Sequence, residues 1–320
     1  MKRTMNDIVF QVIKRCDQNC PHCFFESSPS RKEKLTLLQV RKGLEDLKAG
    51  GISKIDKFIF TGGEPTLHLS LPLMVQTVRR IFPKAKIRID TNGLNLFEKP
   101  SLFEKLDADI YDISVDFFHN QGLLKKKEKF KNIFVKEDGC SLLLDFFLEQ
   151  KKKYKFKLNV RWTSNREDDS WFKCFFERYK GRGTMITKKL ITATGRARSL
   201  PGRMKSFGYL IEENPENFQC LMGNSIILAI DGNWYGCYYP ALFTRLSKAG
   251  QSMKFRDRLG KLMGSDIAKK LPGIGIIETL ESIRKERPEL GPAIDKVLKT
   301  RYWYRCQPCE DCCKKNIFKI

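Results

Sequence analysis

The sequence predicts an α/β protein built around a parallel β-sheet. Segments that have the pattern of buried strands alternate with segments of helical periodicity across residues 7–191. Polar, glycine-rich or cysteine-rich loops come directly after several of these strands. Such alternation is typical of parallel strands joined by right-handed crossovers. Periodicity alone does not distinguish an open sheet from a barrel, and in both the carboxyl ends of the strands carry the chemistry.

The first predicted strand and helix enclose a cysteine-rich segment. Residues 8–13 are mostly apolar and predict a buried strand, and the segment 15–23 follows it directly. Thr36 and Gln39 have the spacing of a capping box, in which each side chain satisfies a backbone N–H of the other residue. Apolar residues then recur at helical spacing as far as Gly50, so we expect a helix between these points.

Further strands and helices alternate as far as residue 191. The predicted strands cover residues 58–60, 87–89, 110–115, 156–162 and 184–191, and the predicted helices cover residues 70–81, 142–148 and 171–179. Polar or glycine-rich segments follow the strands at residues 61–65, 91–93 and 116–119. Because parallel strands end at the same edge of a sheet, we expect these segments and the cysteines to lie close together.

Cys16, Cys20 and Cys23 offer three thiolates on one short loop, with the spacing C-x3-C-x2-C. Three thiolates can hold three irons of a [4Fe–4S] cluster and leave the fourth iron open to another ligand. The alternative metal is zinc, for which C-x2-C pairs are common ligands. Zinc usually takes two separated pairs, so the spacing favours an iron–sulfur cluster.

The composition is that of a soluble and strongly basic protein. The 320 residues include 60 Lys and Arg against 37 Asp and Glu, which gives a net charge of +23. This excess favours acidic partners such as nucleic acid, although lysines scattered over solvated faces explain it equally well. No apolar run has the length of a signal peptide core or a membrane span, and the clustered cysteines indicate metal sites rather than disulfides. We therefore expect a cytoplasmic protein without membrane contact.

The C-terminal part of the chain carries a second set of cysteines. Residues 231–233 and the aromatic pair after them predict a hairpin that brings Cys220 and Cys237 together. Three further candidate ligands lie far downstream, at Cys306, Cys309 and Cys312. Two thiolates from each segment would form a four-thiolate site for zinc or for a second iron–sulfur cluster.

The cysteine loop after the first strand, together with Gly-Gly-Glu-Pro at residues 62–65, resembles the radical S-adenosylmethionine (SAM) superfamily. The resemblance covers residues 7 to about 190 and implies a partial (β/α)6 TIM-like barrel, in a core domain of residues 1–194. It implies that Cys16, Cys20 and Cys23 ligate a [4Fe–4S] cluster whose open iron binds SAM. An electron from the cluster would then cleave SAM to a 5′-deoxyadenosyl radical, which abstracts a hydrogen from the substrate.

The same resemblance assigns residues to the parts of SAM. Gly62, Gly63 and Glu64 would contact the methionyl amino group, although this motif alone also fits a tight turn. The other candidates are His22 for the adenine, Ser114 and Asp116 for the ribose, and Arg161 with Asn159 for the carboxylate. Asp116 and His119 are the candidate catalytic residues. For Asp116, His119, Asn159 and Arg161, the alternative is a solvated, loop or structurally paired position.

The second half resembles the SPASM and twitch extensions of radical SAM enzymes, through the pattern C-x11-G-x4-C from Cys220 to Cys237. The resemblance implies a small Cys-rich domain of a β-hairpin and helices over residues 195–320. The C-terminal pattern C-x2-C-x2-C-C departs from the full SPASM pattern and has too few thiolates for two complete clusters. We expect one auxiliary [4Fe–4S] cluster, held by Cys220, Cys237 and two of Cys306, Cys309 and Cys312.

The resemblance favours an enzyme that modifies a ribosomally made peptide or protein, with a flavodoxin or ferredoxin as electron donor. A first strand near residue 7 leaves no separate N-terminal peptide-recognition domain, which counts against a peptide substrate. The nearest alternative is a dehydrogenase or epimerase of a small metabolite, such as an aminoglycoside precursor. An RNA-modifying enzyme rests on charge alone. From another class, the alternative is a non-catalytic zinc-binding interaction protein.

Overall fold

The computed structural model describes the sheet, its helices and the cysteine loop. The described residues are 3–49, 52–116, 119, 139–164, 169–190, 196, 225–230, 232, 234–235, 285, 288–290 and 292. The candidate auxiliary ligands Cys220, Cys237, Cys306, Cys309 and Cys312 lie outside these residues. The auxiliary cluster therefore stays a prediction.

Eight strands form one continuous sheet in the described part of the chain. They are β1 Arg3–Ile13, β2 Ile52–Gly62, β3 Lys86–Thr91, β4 Ile110–Ser114, β5 Lys157–Ser164, β6 Thr184–Leu190, β7 Ser225–Leu228 and β8 Trp234–Tyr235. Their order across the sheet is β6-β5-β4-β3-β2-β1-β7-β8. All neighbours pair in parallel except β8, which is antiparallel to β7. The α/β class is confirmed, and β1 to β6 follow the strand sequence of the predicted partial (β/α)6 barrel.

Helices connect the parallel strands, as the sequence periodicity predicts. They are α1 Leu37–Ala49, α2 Leu71–Ile81, α3 Leu94–Glu98, α4 Ser101–Leu106, α5 Gly139–Tyr154 and α6 Ser170–Tyr179. The capping box at the start of α1 is confirmed. The Thr36 backbone N–H and the Gln39 Oε1 atom are 2.8 Å apart, and the Gln39 N–H donates to Thr36 Oγ1 at 3.2 Å. This reciprocal pair fixes where α1 begins.

Strand β2 begins six residues before the predicted strand, at Ile52 instead of residue 58. Ser53, Lys54 and Asp56 are exposed, so the apolar run that indicated the strand covers only its buried end. The early residues pair with the first residues of β1, starting with Ile52 opposite Arg3. Pairing with a long neighbour extends β2 beyond the segment that its own hydrophobicity predicts.

The predicted hairpin around Gly232 is present and consists of β7 and β8. The sequence did not predict that β7 pairs with β1 in the main sheet. Ile227 is fully buried and packs with Val9 and Ile59 in an apolar cluster, so β7 covers the edge of β1. The division of the chain at residues 194 and 195 stays a prediction.

The main hydrophobic core lies between the sheet and its helices. On the sheet side it includes Phe10, Phe58, Ile89 and Val160. The side chains that alternate with these core residues on β3, β4 and β5 form a set that we call the polar face: Arg88, Asp90, Asp112, Asn159 and Arg161. Because side chains alternate between the two faces of a strand, each of these strands has one apolar and one polar face. The polar face leads to the carboxyl ends of the strands.

None of the helices that the structure describes combines the length and the apolar character needed to cross a bilayer.

Two leucines on helix α1 test how the helix is held on the sheet. Leu44 is fully buried in the core, whereas Leu38 is 74% exposed. We expect Leu44→Ala to lower the free energy of unfolding by about 2–5 kcal/mol, because it removes buried methyl groups and leaves a cavity. The matched change Leu38→Ala should alter it by less than about 0.5 kcal/mol. Urea unfolding followed by circular dichroism measures both, and equal losses would contradict this packing.

Candidate functional site

The cysteine loop leaves the carboxyl end of β1 and returns to it. Near its base, the Lys14 N–H donates to the Glu33 carbonyl at 2.8 Å, and the Leu35 N–H donates to the Val12 carbonyl at 2.8 Å. Within the loop, the Cys16 N–H donates to the Ser28 carbonyl at 3.1 Å. These backbone hydrogen bonds hold the loop closed at the edge of the sheet where the sequence predicted the chemistry to lie.

The three thiols form a donor set that fits an iron–sulfur cluster. Cys16, Cys20 and Cys23 are free cysteines of intermediate burial on this one loop. Two of the sulfurs already accept backbone N–H groups: Cys16 Sγ lies 3.4 Å from the Gln18 N–H donor nitrogen, and Cys23 Sγ lies 3.3 Å from that of Ser27. Such N–H donors stabilise thiolate ligands. Burial raises the pKa of the Cys16 thiol, and the carboxylates of Glu64 and Asp17 raise it further.

The glycine loop after β2 docks on the cysteine loop through its backbone. The Gly63 N–H donates to the Ile13 carbonyl at 2.6 Å, and the Glu64 N–H donates to the Arg15 carbonyl at 2.9 Å. A Cβ atom on Gly63 would lie 2.1 Å from the Arg15 carbonyl oxygen, and one on Gly62 would lie 2.2 Å from that of Ile13. Only glycine fits this approach. The structure thus gives both glycines a role in joining the two loops, apart from their predicted contact with SAM.

Glu64 is fully buried and accepts hydrogen bonds at both carboxylate oxygens. Its Oε1 atom accepts the Thr66 hydroxyl at 2.6 Å, the Thr66 N–H at 3.2 Å and the Thr91 hydroxyl at 2.7 Å. Its Oε2 atom accepts the Asn92 N–H at 2.8 Å. Burial and the nearby Asp17 carboxylate raise the pKa of Glu64 to about 7, while these hydrogen bonds oppose that rise. The side chain therefore ties the loop after β2 to the loop after β3.

Asn92 is a site residue that the sequence analysis located but to which it gave no role. Its Nδ2 atom donates to Asp17 Oδ1 at 2.7 Å and lies 3.6 Å from Cys16 Sγ. Its Oδ1 atom accepts the Leu94 N–H at 3.0 Å, which fixes the orientation of the amide. Asn92 therefore connects Glu64, through its backbone N–H, with Asp17 and Cys16, through its side-chain amide. An Asn that follows a parallel strand at the level of a metal loop is the signal that could have indicated this role.

His22, Asp116 and His119 are brought together beside the cysteine loop. His119 Nδ1 lies 2.7 Å from Asp116 Oδ2, and His22 Nε2 lies 3.7 Å from the same oxygen. Burial lowers the pKa of His22 to about 4 despite the Asp116 charge. Burial would also lower the pKa of His119, but Asp116 and Cys20 raise it well above its usual value. Asp116 thus lies between two histidines whose pKa values shift in opposite directions, that of His22 downward and that of His119 upward.

Arg161, predicted to meet the SAM carboxylate, is engaged by two carboxylates of the polar face. Its Nη2 atom lies 3.0 Å from Asp112 and 3.5 Å from Asp90. Arg88 contacts the same two aspartates, at 2.6 Å from Asp90 and 2.5 Å from Asp112. Asn159 lies opposite Asp112 in the strand register, and Ser114 is opposite Arg161. These three candidates are neighbours on β4 and β5, and their roles toward SAM stay predictions.

Comparison with known proteins agrees with this geometry. The family model described as Radical SAM superfamily matches residues 10–136. Over 133 residues the chain is 26% identical to GTP 3',8-cyclase from Chlorobaculum tepidum, a match that covers 41% of this chain and 39% of the relative. The chain thus spans about two fifths of that relative. Over 246 residues it is 24% identical to "Putative peptide biosynthesis protein YydG" from Bacillus subtilis, which covers 74% of this chain and 70% of the relative.

A solved structure extends the comparison to the fold. The structure described as native anSMEcpe with bound AdoMet and Cp18Cys peptide matches with a TM-score of 0.51 and 13% sequence identity. The match covers 93% of this chain and 99% of that chain. At this identity the match shows a common fold.

The hydrogen bonds of Glu64 lead to a prediction for its isosteric amide. We expect Glu64→Gln to lower the free energy of unfolding of the metal-free protein by about 1–3 kcal/mol. The Thr66 N–H faces Oε1 and the Asn92 N–H faces Oε2, so either orientation of the amide directs its NH2 group at a backbone donor. Urea unfolding measures the loss.

The control for this variant is Glu45→Gln. Glu45 is more than half exposed and pairs with Arg41 on the surface of α1. Glu45→Gln should lower the free energy of unfolding by less than about 0.5 kcal/mol. A Glu64→Gln protein as stable as wild type would contradict the structural role assigned to Glu64.

Proposed function

We propose that this chain is a radical enzyme that cleaves SAM reductively, because the model of the radical SAM superfamily matches residues 10–136. The observation that carries this proposal is the docking of the Gly-Gly-Glu loop on the loop of three cysteines, at the carboxyl edge of the sheet. When bound, the cluster and SAM would supply a 5′-deoxyadenosyl radical that abstracts a hydrogen from the substrate. The substrate and the bond that changes belong to the proposals below.

We infer that Cys16, Cys20 and Cys23 would hold a [4Fe–4S] cluster with one iron left for SAM. Three thiols on one closed loop, with backbone N–H groups directed at two of the sulfurs, are the support for this assignment. Gly62, Gly63 and Glu64 bring the backbone of the second loop to the same place. A reduced flavodoxin or ferredoxin is the proposed electron donor.

Asp116 and His22 are proposed as contacts for the nucleoside part of SAM, and His119 is the residue that orients Asp116. Asp116 is fully buried and its orientation is fixed, because its Oδ1 atom accepts the His119 N–H at 3.0 Å while Oδ2 faces the His119 ring. A carboxylate held in this way suits ribose hydroxyl groups, and the neutral ring of His22 suits the adenine. Ser114 is the second ribose candidate, and Arg161 with Asn159 the candidates for the carboxylate of SAM.

The C-terminal segment 195–320 is proposed as a twitch-like unit with one auxiliary [4Fe–4S] cluster. Its support is the sequence pattern from Cys220 to Cys237, together with Cys306, Cys309 and Cys312. An auxiliary cluster would accept an electron from a substrate radical or help to position the substrate.

We propose a peptide or protein as the substrate. The support is the match to YydG, which covers 74% of this chain, because the relative's name refers to peptide biosynthesis. The cyclase match from Chlorobaculum tepidum makes GTP the specific rival, but it covers only 41% of this chain. A small-metabolite dehydrogenase or epimerase is a further alternative.

The radical mechanism is tested with anaerobically reconstituted protein, dithionite and SAM. We expect 5′-deoxyadenosine from wild type and none when Cys16, Cys20 and Cys23 are all changed to alanine. The same triple change should lower the iron content from about eight to about four per chain if the auxiliary cluster is present. Cys174→Ala, at an exposed free cysteine, is the control and should change neither result.

Two outcomes would contradict the mechanism. One is wild-type protein whose cluster spectrum does not respond to SAM and that forms no product. The other is stoichiometric zinc with little iron, which would favour a zinc-binding interaction protein. A cluster that responds to SAM without product formation would show that turnover requires the substrate.

The substrate class is tested by adding candidate substrates to the same assay. We expect short peptides encoded beside the gene to increase 5′-deoxyadenosine formation several-fold, with a matching mass change in one peptide. GTP should leave the rate unchanged. An increase with GTP and none with the peptides would overturn the peptide assignment and support cyclase-like chemistry.

A further inference from the structure

Arg196 joins the chain beyond β6 to the cysteine loop at three points. Its Nη1 atom donates to the Cys20 carbonyl at 2.6 Å, and its Nη2 atom donates to the Ser27 carbonyl at 2.5 Å. Its backbone N–H donates to the Cys23 carbonyl at 3.1 Å. These contacts connect residues that are far apart in sequence.

Two of the three carbonyl groups that Arg196 binds, those of Cys20 and Cys23, begin consecutive turns of the loop. The Cys20 carbonyl accepts the Cys23 N–H at 3.1 Å, and the Cys23 carbonyl accepts the Glu26 N–H at 3.3 Å. A carbonyl oxygen has two lone pairs, so each can accept Arg196 as well. The second turn ends at Glu26, whose φ of 53° is unfavourable for a residue other than glycine. The loop therefore holds a costly conformation that an external partner can stabilise.

We propose that Arg196 is a positioning residue that holds the cysteine loop closed and thereby retains the cluster. The planar guanidinium can donate to two carbonyl groups at once, which a lysine ammonium cannot reproduce in the same geometry. The positive charge also lies beside a loop whose thiolates carry negative charge when metal is bound. Because Arg196 follows β6, the contact links the start of the C-terminal segment to the loop that would hold the cluster.

The proposal is tested first in the metal-free protein, by the rate at which iodoacetamide alkylates each cysteine. We expect Arg196→Ala to increase the rates at Cys20 and Cys23 about tenfold, because the loop opens more often when charge-assisted hydrogen bonds are lost. Arg196→Lys should increase them less, by about threefold. Cys174 is exposed and serves as the internal reference. Peptide mass spectrometry at timed quench points gives the rates.

The direction of the change in alkylation rate distinguishes loss of loop closure from a simple effect of the Arg196 charge. Loss of a nearby positive charge raises the pKa of a thiol and slows its alkylation, whereas opening of the loop accelerates it. The matched control is Arg41, an exposed arginine on α1 that pairs with Glu45. Arg41→Ala should leave every rate unchanged.

Retention of the cluster is measured on the reconstituted protein as the rate of iron release to a chelator. We expect about tenfold faster release from Arg196→Ala than from wild type or Arg41→Ala. Rates within twofold of wild type in both measurements would overturn the proposal. A similar increase at Cys20 and Cys23 in Arg41→Ala would overturn it too, because the effect would then not depend on the contacts of Arg196. The alkylation assay needs neither cluster nor SAM, so its result is independent of the proposed radical chemistry.

Discussion

The site depends on the close approach of two backbones, the end of β1 and the loop after β2. Gly63 donates to the Ile13 carbonyl at 2.6 Å, and no side chain fits between the two segments. Parallel pairing of β1 and β2 brings the segments to the same edge of the sheet, and the glycines allow them to touch. The position of the cysteine loop thus follows from strand pairing and from the absence of two Cβ atoms.

Glu64 links these two segments to the end of the third strand, although burial of its carboxylate is electrostatically unfavourable. Burial and Asp17 raise the pKa of Glu64 to about 7, while the N–H and O–H donors from Thr66, Thr91 and Asn92 favour its ionised form. Asn92 in turn contacts Asp17 and Cys16. The loops after β1, β2 and β3 therefore form one hydrogen-bonded unit that includes the first cysteine.

The sequence predicted the strands, the capping box and the cysteine loop because each depends on local pattern. It could not predict contacts that depend on tertiary pairing. Arg161 alternates with buried residues, which indicates a polar face, but only the strand register shows that Asp90 and Asp112 lie within its reach. Arg196 is 169 residues from Ser27, and no local pattern in the sequence indicates their contact.

The polar face also bears on what the net charge of the protein means. Arg88 and Arg161 are paired with Asp90 and Asp112, so these four residues carry no net charge together. Paired charges create little field at a distance, because the two contributions cancel and salt screens the remainder over about 10 Å. The excess of +23 must therefore arise elsewhere in the chain, and it gives no support for an anionic polymer at this face.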